Sequence, residues 1–365
     1  MFLKEVHLLN FKNYKDKSLL FSPKINCFVG NNGVGKTNIL DAIYYLSFCK
    51  SFSNPIDKNN IHHDELFFMV EGKYESDLGE DKILCSVKKG SKKIIKRNEK
   101  EYEKLSQHIG RIPLVMISPY DRDLIVEGGE FRRKFMDAVI SQTDRSYLNS
   151  LMGYNKTISQ RNALLKYFVQ NQSFDKDQLD VYNAILSKTG QEIFEKRSKF
   201  IDELNPLISK YYSAISSNAE HIQLEYDSKV SNCSLDILLD QALDKDMRLQ
   251  HTSVGIHRDD LLFNMNDRPI KRFGSQGQQK SFVIALRLAQ FELLKILTKK
   301  KPILLLDDIF DKLDELRVEE LIKLVNLEYF GQIFITDTHV DRIDSLVQKL
   351  KPEHIIFDLS KDERR

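Results

Sequence analysis

No apolar run in these 365 residues approaches the ~20 needed to cross a bilayer as a helix. The opening Met-Phe-Leu-Lys-Glu-Val-His meets charge before a continuous apolar region can form, so no secretory signal is expected and a cytoplasmic location is. Cysteine is scarce. Cys27, Cys49, Cys85 and Cys233 are scattered without a C-x-x-C pair, which argues against a disulfide framework or zinc site and suits reduced, mostly buried thiols. Neither sign of charge dominates: 55 Lys and Arg against 53 Asp and Glu leave a net +2, so nucleic-acid binding would need a local patch. Internal repeats are lacking, as is low-complexity sequence beyond one lysine-rich stretch. The remaining composition, 41% hydrophobic and 30% charged, describes a globular chain with a core and room for two lobes.

Against that background one segment stands out. Gly30-Asn31-Asn32-Gly33-Val34-Gly35-Lys36-Thr37 fits G-x-x-x-x-G-K-[ST] at every specified position. Ile25 to Val29 before it reads as a short buried strand, and Asn38 to Ser47 after it carries an apolar helical face through Ile39, Ile43 and Leu46. Glycines let backbone N–H groups curl around a β-phosphate, and the helix N-terminus adds the positive end of its dipole. Lys36 is expected to reach the β- and γ-phosphates, and the Thr37 hydroxyl to take one position on Mg²⁺. A chance Gly-rich turn would not come with both flanking elements.

A second run, Ile303-Leu304-Leu305-Leu306, reads as a buried parallel strand that delivers Asp307 and Asp308 at its tip. Asp307 is expected to hold Mg²⁺, and Asp308 to orient the attacking water; the bland reading is a solvated pair of caps. Further upstream, Phe273-Gly274-Ser275-Gln276-Gly277-Gln278-Gln279-Lys280 precedes a periodic helix with Phe282, Ala285, Leu286, Ala289, Phe291, Leu293 and Leu294 near one face. Ser275 opening a helix presents a hydroxyl and free N–H groups to an anion, although an ordinary N-cap has the same look.

These three motifs, in this order, resemble the ABC-type ATPases, whose signature loop touches the γ-phosphate held by a partner subunit. Asp311-Lys312-Leu313-Asp314 is similar to the loop that follows the carboxylate strand in that superfamily and crosses the dimer interface. The match narrows to the RecF family of bacterial DNA replication and recombinational repair proteins. It rests on Leu8-Leu9-Asn10-Phe11-Lys12-Asn13-Tyr14, on Ile117-Ser118-Pro119-Tyr120-Asp121 leading to Phe131-Arg132-Arg133-Lys134-Phe135-Met136-Asp137, on Ser159 to Lys166, and on Gly255-Ile256-His257-Arg258-Asp259-Asp260-Leu261. The resemblance covers the chain nearly end to end. It implies ATP and Mg²⁺ as cofactors and an ATP-dependent homodimer. In that dimer Lys36, Thr37 and Asp307 of one copy work with Ser275 and Gly277 of the other. It also implies single-stranded and duplex DNA at gapped junctions as a partner, cooperation with RecR and RecO to load RecA, support of the SOS response, and a slow DNA-stimulated ATPase. No membrane partner is implied.

The fold class expected is α/β: a split ABC-type ATPase head, a P-loop NTPase, with an inserted helical hairpin arm. Residues 1–118 are expected to form the N-terminal half of the head, 119–221 the arm and 222–365 the C-terminal half. Phe67 to Tyr74, Lys82 to Lys88 and Lys93 to Arg97 look antiparallel, with a lysine-rich hairpin turn at 88–93. In the arm, one stripe runs through Leu148, Leu151, Tyr154, Ile158 and Leu165. A second runs through Val181, Ile185, Ile193, Phe200 and Leu204, with a turn at 171–175 between them. Asn205-Pro206 is expected to end or kink the second helix.

From Lys82 to Lys104 nine Lys or Arg face three Glu, which makes this hairpin a candidate DNA contact, or equally a solvated edge protected by lysines. Arg132-Arg133-Lys134 is the next candidate, or a brace. His62-His63-Asp64-Glu65 fits a turn better than a metal site. Two features depart from the ABC pattern. Asp308 stands where most such enzymes carry Glu, which predicts slow turnover, and His339 is displaced from the position that follows its strand. An ABC transporter cassette would share the three motifs but lack the hairpin. A chromosome-maintenance structural ATPase would need a far longer coiled coil, and a nuclease of the overcoming-lysogenisation type a further acidic domain.

Overall fold

The computed structural model describes residues 1–77, 79–216, 220–308, 330–350, 353–361 and 363–364. The chain divides into two compact units, one from Met1–Asp121, Ala214–Ser217 and Lys280–Arg365, the other from Arg122–Ser213 and Asn218–Gln279. In chain order the first part supplies β1 (Phe2–Phe11), β2 (Tyr14–Leu20), β3 (Ile25–Val29), α1 (Lys36–Phe48), β4 (Phe67–Ser76), β5 (Gly79–Lys88), β6 (Ile94–Arg97), β7 (Lys100–Glu101) and β8 (Leu114–Ile117). The middle supplies helices α2 (Asp123–Val126), α3 (Gly129–Thr143), α4 (Arg145–Gln170) and α5 (Lys176–Ser216), then β9 (Ile222–Asp227), α6 (Leu235–Gln241), α7 (Leu243–Leu249), β10 (Asp260–Met265), β11 (Arg268–Pro269) and α8 (Ile270–Phe273). The last part holds α9 (Gln276–Thr298), β12 (Ile303–Asp307), β13 (Ile333–Asp337), a helix at Val340–Leu350, β14 (His354–Asp358) and β15 (Glu363–Arg364).

Two six-stranded sheets build the first unit, in the orders β2-β1-β4-β5-β6-β7 and β15-β14-β3-β13-β12-β8. The former is antiparallel and alternates as a sheet with one covered face must: Phe68, Val70, Gly72 and Tyr74 of β4 turn inward, while Phe67, Met69, Glu71 and Lys73 do not. The latter is parallel except for β15, and β3, β8, β12 and β13 are buried at every residue, which is why they read as mostly apolar runs, interrupted by Asn26 in β3 and Thr336 in β13. Helix α1 packs on β1, β4 and β5 of one sheet and on β8, β12 and β13 of the other. It is therefore buried almost all round, from Ile39 to Phe48. Gln332, itself buried, ties the sheets together: its amide donates to Leu3 O (2.7 Å) and Ser22 O (2.8 Å), and its carbonyl accepts from Leu3 N (2.8 Å).

The second unit is an antiparallel helical hairpin, α4 and α5, with α3, α6, α7 and a three-stranded sheet ordered β11-β10-β9. The division departs from the expected boundaries. Residues 222–279, assigned in advance to the head, belong with the helical hairpin, because buried polar contacts bind them to it. Arg161 of α4 reaches Asp246 (2.7 Å) and Thr252 (2.8 Å), and Arg197 of α5 reaches Ile256 O (2.9 Å). No hydropathy pattern announces such links. Of the apolar stripe expected on α4, Tyr154 and Leu165 are buried and Leu148, Leu151 and Ile158 half-buried; the buried side also runs through Tyr147, Arg161 and Phe168, which with Tyr154 are seven residues apart each time.

In α5 the predicted stripe holds at Ile193, Phe200 and Leu204, which are buried, but Val181 and Ile185 are 60% and 43% exposed, whereas Leu179 and Leu186 are buried in the first turns. Pro206 does not end α5, which runs on to Ser216. A proline forfeits one helical hydrogen bond, but Leu204, Ile208, Tyr211 and Tyr212 are buried around it, and the Asn205 amide exchanges two hydrogen bonds with Leu224 (3.0 and 2.7 Å). The predicted hairpin at 88–93, the turn at 171–175 and the turn at 62–65 are all present.

Arg161 and Asp246 are both fully buried, so removing one partner strands the other charge. Arg161→Met is expected to destabilise the protein by about 3–5 kcal/mol. Urea denaturation monitored by circular dichroism measures it, and the paired replacement Arg161→Met with Asp246→Leu should recover much of the loss.

Candidate nucleotide site

The strand β3, the loop after it and α1 form the expected strand–loop–helix. Gly30, Gly33 and Gly35 all take positive φ, +142°, +85° and +108°, a conformation that glycine adopts without strain. Gly35 is the N-cap of α1 and supplies no side-chain cap to the first turn, where Asn38 N donates to Gly35 O (2.9 Å). The turn between β1 and β2 braces this loop: Asn13 donates to Val34 O (3.2 Å) and accepts from the Asn38 amide (2.7 Å). Lys36 is buried, its ammonium donating to Gly30 O (2.6 Å) and Asn31 O (3.0 Å).

Thr37 and Asp307, 270 positions apart in the chain, come together at the strand tips: the Thr37 hydroxyl donates to Asp307 Oδ1 at 3.0 Å. Thr336, at the end of the neighbouring β13, donates to the same oxygen at 2.8 Å, and its own oxygen accepts from Asp308 N at 2.9 Å. Asp308 sits in the left-handed region (φ +47°), unusual for a residue with a Cβ, and turns its N–H toward Thr336. Burial is the main influence on the Asp307 carboxyl and pushes its pKa up; the Thr336 and Thr37 hydroxyls and Lys36 oppose it. A hydroxyl and a carboxylate presented together are oxygen donors of the kind Mg²⁺ takes one or two of, leaving its other positions to water and phosphate. The donor set fits that ion and a triphosphate.

Ser275 and Gly277 lie at the start of α9. Ser275 Oγ accepts from Gln278 N (3.2 Å), and Gln278 Oε1 accepts from Ser275 N (2.7 Å), a reciprocal capping box. The loop 311–314 lies outside the described residues. His339 is exposed, and its N–H donates to the buried Asp337 (2.7 Å). Sequence reasoning missed Thr336, Asn13 and Asn38. Thr336 left a trace as the one hydroxyl in Ile333-Phe334-Ile335-Thr336, and Asn13 as a member of the segment Leu8 to Tyr14.

The basic segments are less free than their sequence suggests. Lys93 is bound to Asp57 (2.7 Å) and Cys49 O (2.6 Å), Lys82 to Glu71 (3.1 Å), Arg97 to Asp81 (2.9 Å) and Lys89 to Glu65 O (2.8 Å). Lys88 and Lys92 are exposed. The second candidate turns inward: Arg132 grips Asp260 with two hydrogen bonds (2.7 and 2.8 Å), and Arg133 donates to Asp259 O (2.5 Å). Of the three, only Lys134 remains exposed, paired with Glu130.

Residues 2–351 match the family model described as the RecF/RecN/SMC N terminal domain. The chain is 53% identical over 359 residues to the DNA replication and repair protein RecF of Flavobacterium johnsoniae, covering 98% of this chain and 100% of that one. The chain belongs to the RecF family. The corresponding protein of Phocaeicola vulgatus is 49% identical over 98% of this chain and 96% of its own. A solved structure of the recombination mediator protein RecF with ATP, in the RecFOR pathway, superposes with a TM-score of 0.89 at 30% identity, covering 100% of this chain and 97% of that one. An Smc head bound to the C-winged helix domain of ScpA shares the fold alone, with a TM-score of 0.59 at 14% identity. The α/β split-head class read from the sequence is therefore that of this family of DNA replication and repair proteins, built on an ABC-type ATPase fold. No helix among the described residues is long and apolar enough to cross a membrane.

Because the folded-state pKa of Asp307 is raised, its ionisation opposes folding. Asp307→Asn keeps an oxygen for both threonines and is expected to raise the nucleotide-free melting temperature at neutral pH. The gain should be full above the raised pKa and vanish as pH falls below the ordinary value of 3.8, where the wild-type carboxyl is protonated in both states. Melting curves across that range check it.

Proposed function

We propose that the protein is an ATP-driven DNA-binding switch of replication and recombinational repair, acting in the cytoplasm. The observation that carries the reading is the joining of Thr37, Asp307 and Thr336 beside the glycine loop. Lys36 and the loop residues Gly30 to Thr37 would bind the phosphates, Thr37 and Asp307 would hold Mg²⁺, and Asp308 would orient water. Bound Mg²⁺ neutralises phosphate charge. Asp308, one methylene shorter than Glu, favours slow turnover, in keeping with a switch.

The site is completed by a second copy of the chain, which contributes Ser275 and Gly277 at the N-terminus of its α9. The capping box supports this role. Ser275 Oγ uses an acceptor lone pair on Gln278 N and keeps its O–H as a donor for phosphate. Closure of the two heads with ATP would present the lysine hairpin to DNA, where Lys88, Lys89 and Lys92 are exposed cations of its turn, Lys89 with its ammonium on Glu65 O. A preference for gapped junctions, partnership with RecR and RecO, RecA loading, the SOS response and stimulation of the ATPase by DNA follow from the family.

Ser275→Arg and Lys36→Met should each bind DNA poorly and remain monomeric with ATP. Their mixture retains one composite site, so part of the ATP-dependent dimer should return on gel filtration. Strong dimerisation of Ser275→Arg alone rules out the shared site. For DNA, Lys88→Glu with Lys92→Glu should weaken duplex binding and lower the slope of log K against log salt by about 2. An unchanged slope in a fluorescence-anisotropy titration moves the contact elsewhere.

A further inference from the structure

Beyond the glycine loop, the chain returns to the nucleotide site at the end of β14, and this return has a role of its own. Strand β14 lies parallel to β3, with Asp358 opposite Val29. Just after it, Leu359 N donates to Val29 O (2.9 Å) and Ser360 N to Asp358 Oδ1 (3.1 Å), which seats Ser360 against the first residues of the loop. There Ser360 Oγ accepts from Asn31 N at 3.1 Å. The packing is close: a Cβ on Gly30 would lie 2.7 Å from Ser360 Oγ and 3.3 Å from Ser360 N.

The N–H of Asn31 and the C=O of Gly30 belong to one peptide group, and in a trans peptide they point in opposite directions. Lys36 Nζ holds the carbonyl end at 2.6 Å, and Ser360 holds the amide end. One plane is thus gripped from both sides. Gly30 takes a φ of +142° and, lacking a Cβ, restrains that plane less than any other residue would, so the second grip adds to its orientation. We infer that Ser360 is a positioning residue for ATP: it fixes the Gly30–Asn31 peptide plane, and through it the ammonium of Lys36, before nucleotide arrives. The inference rests on the ATP binding proposed above and adds to it a wall of the site drawn from the last residues of the chain.

A preorganised loop lowers the ordering cost of binding and leaves the chemical step alone. Ser360→Ala should therefore raise the Kd for ATP about three- to tenfold, the loss of one neutral hydrogen bond. The turnover number should stay within about twofold, and the nucleotide-free melting temperature should fall by no more than about 3 °C, the effect of one lost hydrogen bond. Ser360→Thr, which keeps the hydroxyl, should bind as wild type does. Titration with a fluorescent ATP analogue, single-turnover hydrolysis and thermal melts read the three quantities, with Lys36→Met as the control for the site itself. The clamp is overturned if Ser360→Ala binds ATP as tightly as wild type or more tightly, or if Ser360→Thr is equally weakened. It is also overturned if Ser360→Ala lowers the nucleotide-free melting temperature by much more than that, which marks a merely structural contact. Failure of the functional reading looks different: wild type and Lys36→Met would then bind the analogue alike.

Discussion

The buried Asp307 carboxylate, held by two hydroxyls from different elements, is the constraint around which the first unit is arranged. To accept from both Thr37 and Thr336, the tip of β12 must lie beside the tip of β13, with the start of α1 within reach. Parallel pairing achieves this, because it places the C-terminal ends of β12, β13 and β3 at one edge of the sheet. Parallel strands in turn need both faces covered, and α1, held between the two sheets, supplies part of that cover. The carboxylate itself gains little from the arrangement: burial disfavours its charge. A residue that opposes folding yet sits where metal and phosphate would meet is understandable as a site feature, since natural proteins accept local instability where activity needs it.

The second unit depends on buried cations. Arg161 and Arg197 are almost wholly enclosed, each held by a different set: Asn183, Asp246 and Thr252 for the former, Asp137, Tyr147 and Ile256 O for the latter. Such groups add less to stability than apolar side chains of similar size, but they tolerate only one arrangement of their partners. They join residues far apart in the chain, which explains why several motifs that resemble the family, Arg132-Arg133, Arg161 and Gly255 to Leu261, are interior features of one unit. Burial also holds His257 near a pKa of about 4, so beside Tyr154 and Thr252 it is neutral at physiological pH.

The glycine loop, the carboxylate strand and the strand order of the lysine hairpin were legible because each rests on local chemistry. Positive φ calls for glycine, a doubly covered strand for an unbroken apolar run, a hairpin for alternation and a turn. Tertiary contacts decided three other readings. Val181 and Ile185 satisfied a helical period but lie on the exposed side. Pro206 carried a strong local signal to stop the helix, which runs on past it. Arg132 and Arg133, a candidate DNA contact or a brace, find carboxylate and carbonyl partners at residues 259 and 260.

The sequence by itself determined that a triphosphate loop, a capped helix and a carboxylate strand follow one another in ABC order, since these depend on residue types within a few positions. It also determined the antiparallel run β4 to β6 and the helical hairpin. Only the tertiary structure decided which polar groups meet: Thr336 on Asp307, Ser360 on Asn31, Asn13 on the loop, Asp246 on Arg161. Hydrogen bonds between residues far apart carry no periodicity and no composition, because their energy comes from excluding water around a pair that exists only once the chain has closed.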